Sequence, residues 1–252
     1  MGYKVQAHAF QGYWEDIGTI EAFYNANLAL AKPGKTDFRG GAEGAPHARE
    51  TLGAPVGAPE WRVQEPYFYD KAAPIYTMSR FLPPSKVVDA EACPQQRRGE
   101  ADVGGRRAAA DAIHDAIIGD GCVIKAGSVI KNSVIGLRTL VQENALIEDT
   151  LILGADYYET KEAERSVNGP ALPLPPPPQE CTFVPGCQPI GVGRGAVVRR
   201  ALVDKNVRIG DNVQIVNKAG VSEANREEEG FIIKDGIVVL CKNAHIKSGT
   251  VI

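Results

Sequence analysis

The sequence is poor in the residues that staple chains together or hold metals. It has five cysteines, Cys93, Cys122, Cys181, Cys187 and Cys241, with no Cys-x-x-Cys pair and an odd count. That pattern argues against a disulfide framework or a cysteine zinc site and fits a reducing compartment. Its four histidines, His8, His47, His114 and His245, are scattered. It has no basic excess: 28 Lys and Arg against 31 Asp and Glu leave a net charge of −3. A general nucleic-acid binder carries a basic patch or stripe, so that class is argued against, while a local anion site stays open. No run approaches the roughly 20 apolar residues of a membrane span. The first residues, Met1-Gly2-Tyr3-Lys4, have neither signal-peptide nor transit-peptide character. They read as the middle of a strand.

What is present is a repeat of six. Ile117, Val123, Val129, Ile135, Val141, Ile147 and Leu153 are evenly spaced and all aliphatic, and Ile118, Ile124 and Ile130 form a second register beside them. The spacing returns at Val197, Val203, Ile209 and Ile215, and again at Leu240, Ile246 and Ile252. Four residues after these come Ala201, Val207, Val213 and Ala219, then Ala244 and Thr250. A helix of 3.6 residues per turn would smear such positions around its surface. A short strand with a tight corner every six residues keeps one aliphatic side chain pointing inward per face. The corners are supplied by Gly119-Asp120-Gly121, Lys131-Asn132, Asp204-Lys205-Asn206 and Gly210-Asp211-Asn212. Asn, Asp and Gly tolerate the positive φ that sharp corners require. The pattern predicts a mainly β protein whose stacked coils bury a ladder of β-branched side chains, and it resembles the left-handed parallel β-helix of the hexapeptide-repeat class.

Outside the repeats the chain is uneven. Residues 13–31 read as a turn and then a helix capped by Thr19, with Ile20, Phe23, Tyr24, Asn27 and Leu30 on or beside one face. Residues 33–62 and 91–111 lack any period. The run Pro175-Pro176-Pro177-Pro178 predicts polyproline II in a linker. These features divide the chain into a short α/β segment at 1–32, a linker with irregular insertions at 33–111, and the β-helix at 112–252 with a Pro-rich insertion at about 165–189.

The words between the irregular stretches are specific. Tyr13-Trp14-Glu15-Asp16-Ile17-Gly18-Thr19 runs into Ile20-Glu21-Ala22-Phe23-Tyr24-Asn25-Ala26-Asn27-Leu28. Pro74-Ile75-Tyr76-Thr77 and Leu82-Pro83-Pro84-Ser85-Lys86 follow. Later come Gly154-Ala155-Asp156-Tyr157-Tyr158-Glu159-Thr160, Pro189-Ile190-Gly191-Val192-Gly193 and Asp204-Lys205-Asn206. In this order they resemble the C-terminal half of plant and algal ADP-glucose pyrophosphorylase (glucose-1-phosphate adenylyltransferase) subunits. The wording from Ala22 to Asn27 is closer to the small subunit.

Three departures from the family pattern stand out. Its N-terminal Gly-rich nucleotide loop has no counterpart, since Gly191-Val192-Gly193-Arg194-Gly195 lies inside the repeat, where glycine serves a corner. Residues 33–62, 91–111 and about 170–189 are longer than the pattern wants and read as translated intron sequence; a transcript containing all three stretches would overturn that reading. Met78 stands where the small-subunit pattern has a glutamine.

The resemblance implies adenylyl transfer: ATP and glucose 1-phosphate give ADP-glucose and pyrophosphate for starch or glycogen synthesis. Negative charge builds on phosphorus oxygens in such a step, so it needs Mg²⁺ held by carboxylates and cationic clamps. By resemblance Asp16 is the catalytic, metal-binding carboxylate of this part of the chain, against the plain reading in which Asp16 or Thr19 caps the helix. Trp14 either lines the sugar pocket or packs. By resemblance, too, Arg80, Lys205 and Lys242 form an allosteric anion site for 3-phosphoglycerate and phosphate, against the plain reading of solvated surface cations. Lysine serves there as a point charge and arginine as a planar fork. The resemblance further implies a plastid stroma location and a tetramer with other subunits of the enzyme. The chain itself is expected to be a fragment, inactive alone, and to act as a regulatory and oligomerisation module. The rival enzyme is a hexapeptide acyltransferase with His114 or His245 as base; a partly buried histidine at a repeat position is the simpler account of each. A three-histidine zinc site of the γ-carbonic anhydrase kind does not fit four scattered histidines.

Overall fold

The computed structural model describes residues 3–9, 14–32, 75–88, 113–158 and 188–252. The irregular stretches at 33–62 and 91–111 lie outside these residues, as does the proline-rich stretch apart from residues 188 and 189. One helix, α1 (Ile20–Ala29), precedes a succession of short strands.

The strands stack as coils. One wall contains β1 (Lys86–Val87), β3 (Val123–Ile124), β5 (Leu140–Val141), β7 (Gly191–Val192), β9 (Arg208–Ile209) and β14 (His245–Ile246), paired in that order. The longer strands β2 (Ile113–Ile118), β4 (Val129–Ile135), β6 (Leu146–Ile152) and β8 (Val197–Val203) pair in parallel beside it. Each long strand makes two walls, because it turns a corner at one residue. Asp115, Asn132, Asp149 and Arg200 have φ between 43 and 48°. Pairing skips that residue: His114 pairs with Lys131, and the ladder resumes with Ala116 and Ser133. The other two corners hold Gly127, Asn144, Gly195, Asn212 and Gly249, and Gly121, Arg138, Asn206 and Asn243, all with positive φ. All four corner words read from the sequence thus contain a left-handed residue, at Gly121, Asn132, Asn206 and Asn212.

The coil length corrects the period. Val123 pairs with Leu140 and Val192 with Ile209, each 17 residues on. Seventeen is two steps of six and one of five. The buried line runs Ile124, Ile130, Ile135, Val141, Ile147, Ile152, then Val192, Val198, Val203, Ile209, Ile215, then Leu240 and Ile246, none more than 4% exposed. The five-residue step falls where the single left-handed residue makes the corner. A uniform six-step from Ile117 therefore starts beside the core, with Ile117, Val123 and Val129 half-buried, enters it at Ile135, and leaves it at Leu153. Each buried isoleucine or valine contributes about 1.5–3 kcal/mol by removal from water.

Two insertions leave the register intact. Val141 pairs with Val192, 51 residues on, and Ile209 with Ile246, 37 residues on. The second insertion contains an antiparallel hairpin that the period-six reading omits. Here β11 (Ala224–Arg226) pairs with β12 (Phe231–Lys234), and β12 with β13 (Ile237–Leu240). β13 then rejoins β8 in parallel. β10 (Gln214–Ile215) also pairs with β8.

Helix α1 packs on the outside of the coil. Thr19 caps it, its hydroxyl oxygen accepting the Ala22 N–H at 3.1 Å. The buried residues are Tyr24 and Leu28, flanked by Ile20 and Phe23; Leu28, not Leu30, completes the stripe. They cover a row of outward aliphatics from successive coils, Val134, Leu151, Leu202 and Val239. The Tyr24 hydroxyl donates to the Asp149 carbonyl at a left-handed corner.

Candidate anion-binding corner

Asn206 and Asn243 occupy the same corner on adjacent coils, with φ of 62 and 61°. Asparagine adopts this conformation more readily than most residues. The residue before each corner is a lysine, so the 37-residue offset stacks Lys205 and Lys242. They share one carboxylate. Lys205 Nζ lies 2.7 Å from Asp156 Oδ1, and Lys242 Nζ lies 3.9 Å from Asp156 Oδ2.

Asp156 is positioned by the corner itself. Its backbone N–H donates to Asn206 Oδ1 at 2.8 Å, and Asn206 Nδ2 donates back to Asp156 Oδ2 at 3.3 Å. Asn206 is buried and also donates to Asn243 Oδ1 at 3.1 Å, which ties the two coils together. The Lys205 hydrogen bond, reinforced by the charges of Lys205 and Lys242, holds the Asp156 carboxyl below the ordinary carboxylate range, against the opposing effect of partial burial. The segment after β6 that carries Asp156 is held to the neighbouring coil. Arg138 Nη1 donates to the Ala155 carbonyl at 2.9 Å, and its guanidinium sits 5.8 Å from the Tyr158 ring centroid. The Tyr158 hydroxyl donates to the Gly121 carbonyl at 3.2 Å.

Arg80 stands apart from the two lysines. Its Nη1 donates to the Met78 carbonyl at 3.2 Å, and among the described residues no contact joins it to Lys205 or Lys242. Its segment is anchored where Ser85 Oγ accepts the Cys122 N–H at 3.1 Å and Lys86 pairs with Val123. That anchor lies at the Gly121 corner, three coils from Asn206, or about 14 Å at the usual strand spacing.

Asp16 lies in an exposed turn ahead of α1, where its Oδ1 accepts the Gly18 N–H at 3.2 Å. The helix cap is Thr19, so capping does not occupy Asp16. Trp14 is three-quarters exposed. Among the described residues no three His, Cys, Asp or Glu side chains group closely enough to hold a metal. His114 on β2 and His245 on β14 are in different sheets, and both are exposed rather than partly buried.

Residues 105–175 and 177–251, more than half of the chain, match the GLGC left-handed parallel β-helix domain. The chain belongs to the ADP-glucose pyrophosphorylase family. It is 43% identical over 251 residues to the chloroplastic/amyloplastic glucose-1-phosphate adenylyltransferase small subunit of Triticum aestivum. The match takes in all of this chain and 39% of that protein, so the chain spans well under half of its relative's length.

Sequence reasoning singled out Lys205 and Lys242 but missed Asp156 and Arg138, which the structure sets beside that corner. Asp156 was in plain view in Gly154-Ala155-Asp156. The signal that finds it is the coil offset: Val141 and Val192 share a wall across the first insertion, which brings the residues after Leu153 next to those after Val203.

Proposed function

We propose that the chain is the regulatory and assembly β-helix portion of a glucose-1-phosphate adenylyltransferase of the small-subunit type, serving starch or glycogen synthesis in the plastid stroma. The observation that carries this reading, beyond the family, is the stacking of Lys205 and Lys242 one coil apart about a single carboxylate. Two ammonium groups facing the same small acceptor form a receptor for a phosphate or carboxylate group. In this reading the pair holds the phosphate of 3-phosphoglycerate, an activator, or inorganic phosphate, an inhibitor. Arg80, whose segment is anchored three coils away, joins the pair only in the assembled enzyme.

The complete enzyme joins ATP and glucose 1-phosphate into ADP-glucose and releases pyrophosphate. Magnesium neutralises charge developing on the phosphoryl oxygens. It takes oxygen ligands in near-octahedral array, often one or two carboxylates with waters and substrate phosphates. Asp16 fits as one such ligand: its carboxylate is exposed and oriented by the Gly18 N–H. The remaining ligands come from the substrate, from water and from other parts of the enzyme. The chain alone does not turn over; it assembles with other subunits into a tetramer and conveys the effector signal.

The test is pyrophosphate release from ATP and glucose 1-phosphate by the purified chain, with and without a partner subunit. The expected result is no activity alone and an altered response to 3-phosphoglycerate and phosphate on co-assembly. Magnesium-dependent turnover by the chain alone would overturn the assignment of catalysis to the assembled enzyme.

A further inference from the structure

We infer that Asp156 is a built-in counter-anion that occupies the Lys205–Lys242 receptor and competes with the phosphate-bearing effector for it. The inference rests on the reading of the lysine pair as an anion site and adds the regulation of that site.

The geometry is that of an occupied receptor. Asp156 presents one oxygen to each ammonium group, at 2.7 Å to Lys205 and 3.9 Å to Lys242. It is held in place by a reciprocal pair of hydrogen bonds with the buried Asn206. A carboxylate bridging two lysines imitates one end of a phosphate, with two oxygens, negative charge and similar reach. The two lysines and Asp156 together carry a net charge of +1 rather than +2. An incoming phosphate therefore meets a half-neutralised site and a nearby like charge. All three side chains are 40–51% exposed, so the pairing is weak enough to be exchanged for a solution anion. The longer Lys242 contact is the one that opens first. Asp156 stays tied to Asn206 when it does, so the competitor is not lost to solvent and returns when the effector leaves.

Asp156→Asn keeps the shape and the backbone hydrogen bond to Asn206 while removing the charge. The experiment is calorimetric titration of the purified 252-residue chain with inorganic phosphate, comparing wild type, D156N, K205Q and K242Q. D156S serves as a second charge-free variant, and unfolding midpoints confirm that each variant is folded. Removing one nearby negative charge is expected to tighten phosphate binding about tenfold. Both lysine variants are expected to weaken it. Binding by D156N and D156S that is unchanged or weaker, with both lysine variants impaired, overturns the competitor role and leaves the anion site standing. Phosphate binding that is absent in every variant, or indifferent to K205Q and K242Q, overturns the anion site and the inference with it.

Discussion

Tyrosine 24 offers a direct test of whether α1 is fastened to the coil. Its ring is 5% exposed among Leu28, Leu151, Leu202 and Ile237, and its hydroxyl donates to the Asp149 carbonyl. Tyr24→Phe removes that hydrogen bond and leaves a partly buried carbonyl unpaired. The expected cost at pH 7 is about 1–2 kcal/mol. The pH dependence is more discriminating. Burial, with a contribution from the Asp149 charge, pushes the phenol well above its ordinary range in the folded state. The neutral phenol is thus favoured on folding, and its contribution to stability is whole below the ordinary tyrosine value of about 10. Above that pH the unfolded chain loses the proton first, so stability falls with rising pH, by up to about 1.4 kcal/mol per unit. Denaturant unfolding of wild type and Y24F from pH 8 to 11 isolates this residue, because the other tyrosines are common to both proteins. The difference in unfolding free energy should shrink as pH rises above 10. A difference that stays constant across the range would refute the buried, hydrogen-bonded placement of Tyr24 and with it the docking of α1.

Three further outcomes test the coil. Arg200 has φ of 48° at a corner where other coils use Asp or Asn; Arg200→Asn should raise stability by roughly 0.5–1 kcal/mol, read as a higher thermal midpoint. Gly191 has φ of 123°, and a Cβ there would lie 2.1 Å from the Leu140 carbonyl oxygen. Gly191→Ala should therefore cost at least about 3 kcal/mol, and an unchanged denaturant midpoint would contradict the β5–β7 contact. The Glu143 carboxyl is lowered to about 2, chiefly by its own backbone N–H, with Lys125 and Arg194 assisting. Its contribution is complete above the ordinary glutamate value of about 4.3 and is lost as pH falls toward 2. Glu143→Gln should remove that part of the acid sensitivity, an effect of under about 1 kcal/mol at this surface site.

The architecture was legible because the repeat is strict; its register was not. The aliphatic residues come as doublets, Ile117-Ile118, Val123-Ile124, Val129-Ile130, Val134-Ile135 and Leu151-Ile152. The second member of each points into the coil and the first lies beside it or outward. Either line keeps a step of six only from one such corner to the next, and the doublets let a uniform step of six pass from the first members to the second, which hid the five-residue step at Asn132 and Asp149. Outward aliphatics such as Val134 and Leu151 exist because α1 covers them, and that partner lies more than 100 residues away in sequence. The hairpin was legible and passed over. Asp235-Gly236 between Phe231-Ile232-Ile233 and Ile237-Val238-Val239 is a strong turn signal, and both residues take positive φ, 53 and 72°. At the candidate site the lysines were found through the likeness of their words to a family. Asp156 needed the three-dimensional offset, because an insertion separates it from Lys205.

The packing also supplies a short physical route between the two proposed sites. Leu202 lies buried under α1, and Lys205 follows it three residues later, at the next corner of the coil. On the other side of the contact, α1 begins at Ile20, immediately after its Thr19 cap and four residues after Asp16. Leu202 thus joins β8, which leads into the lysine corner, to the helix that follows the Asp16 turn. Close-packed side chains transmit displacements because the interface cannot absorb them without opening a void. Coupling of this kind requires an element with two arrangements that both sites bias. On the competitor role proposed for Asp156, its exchange for an anion would supply two arrangements at one end of this contact, and α1, next to the Asp16 turn, lies at the other.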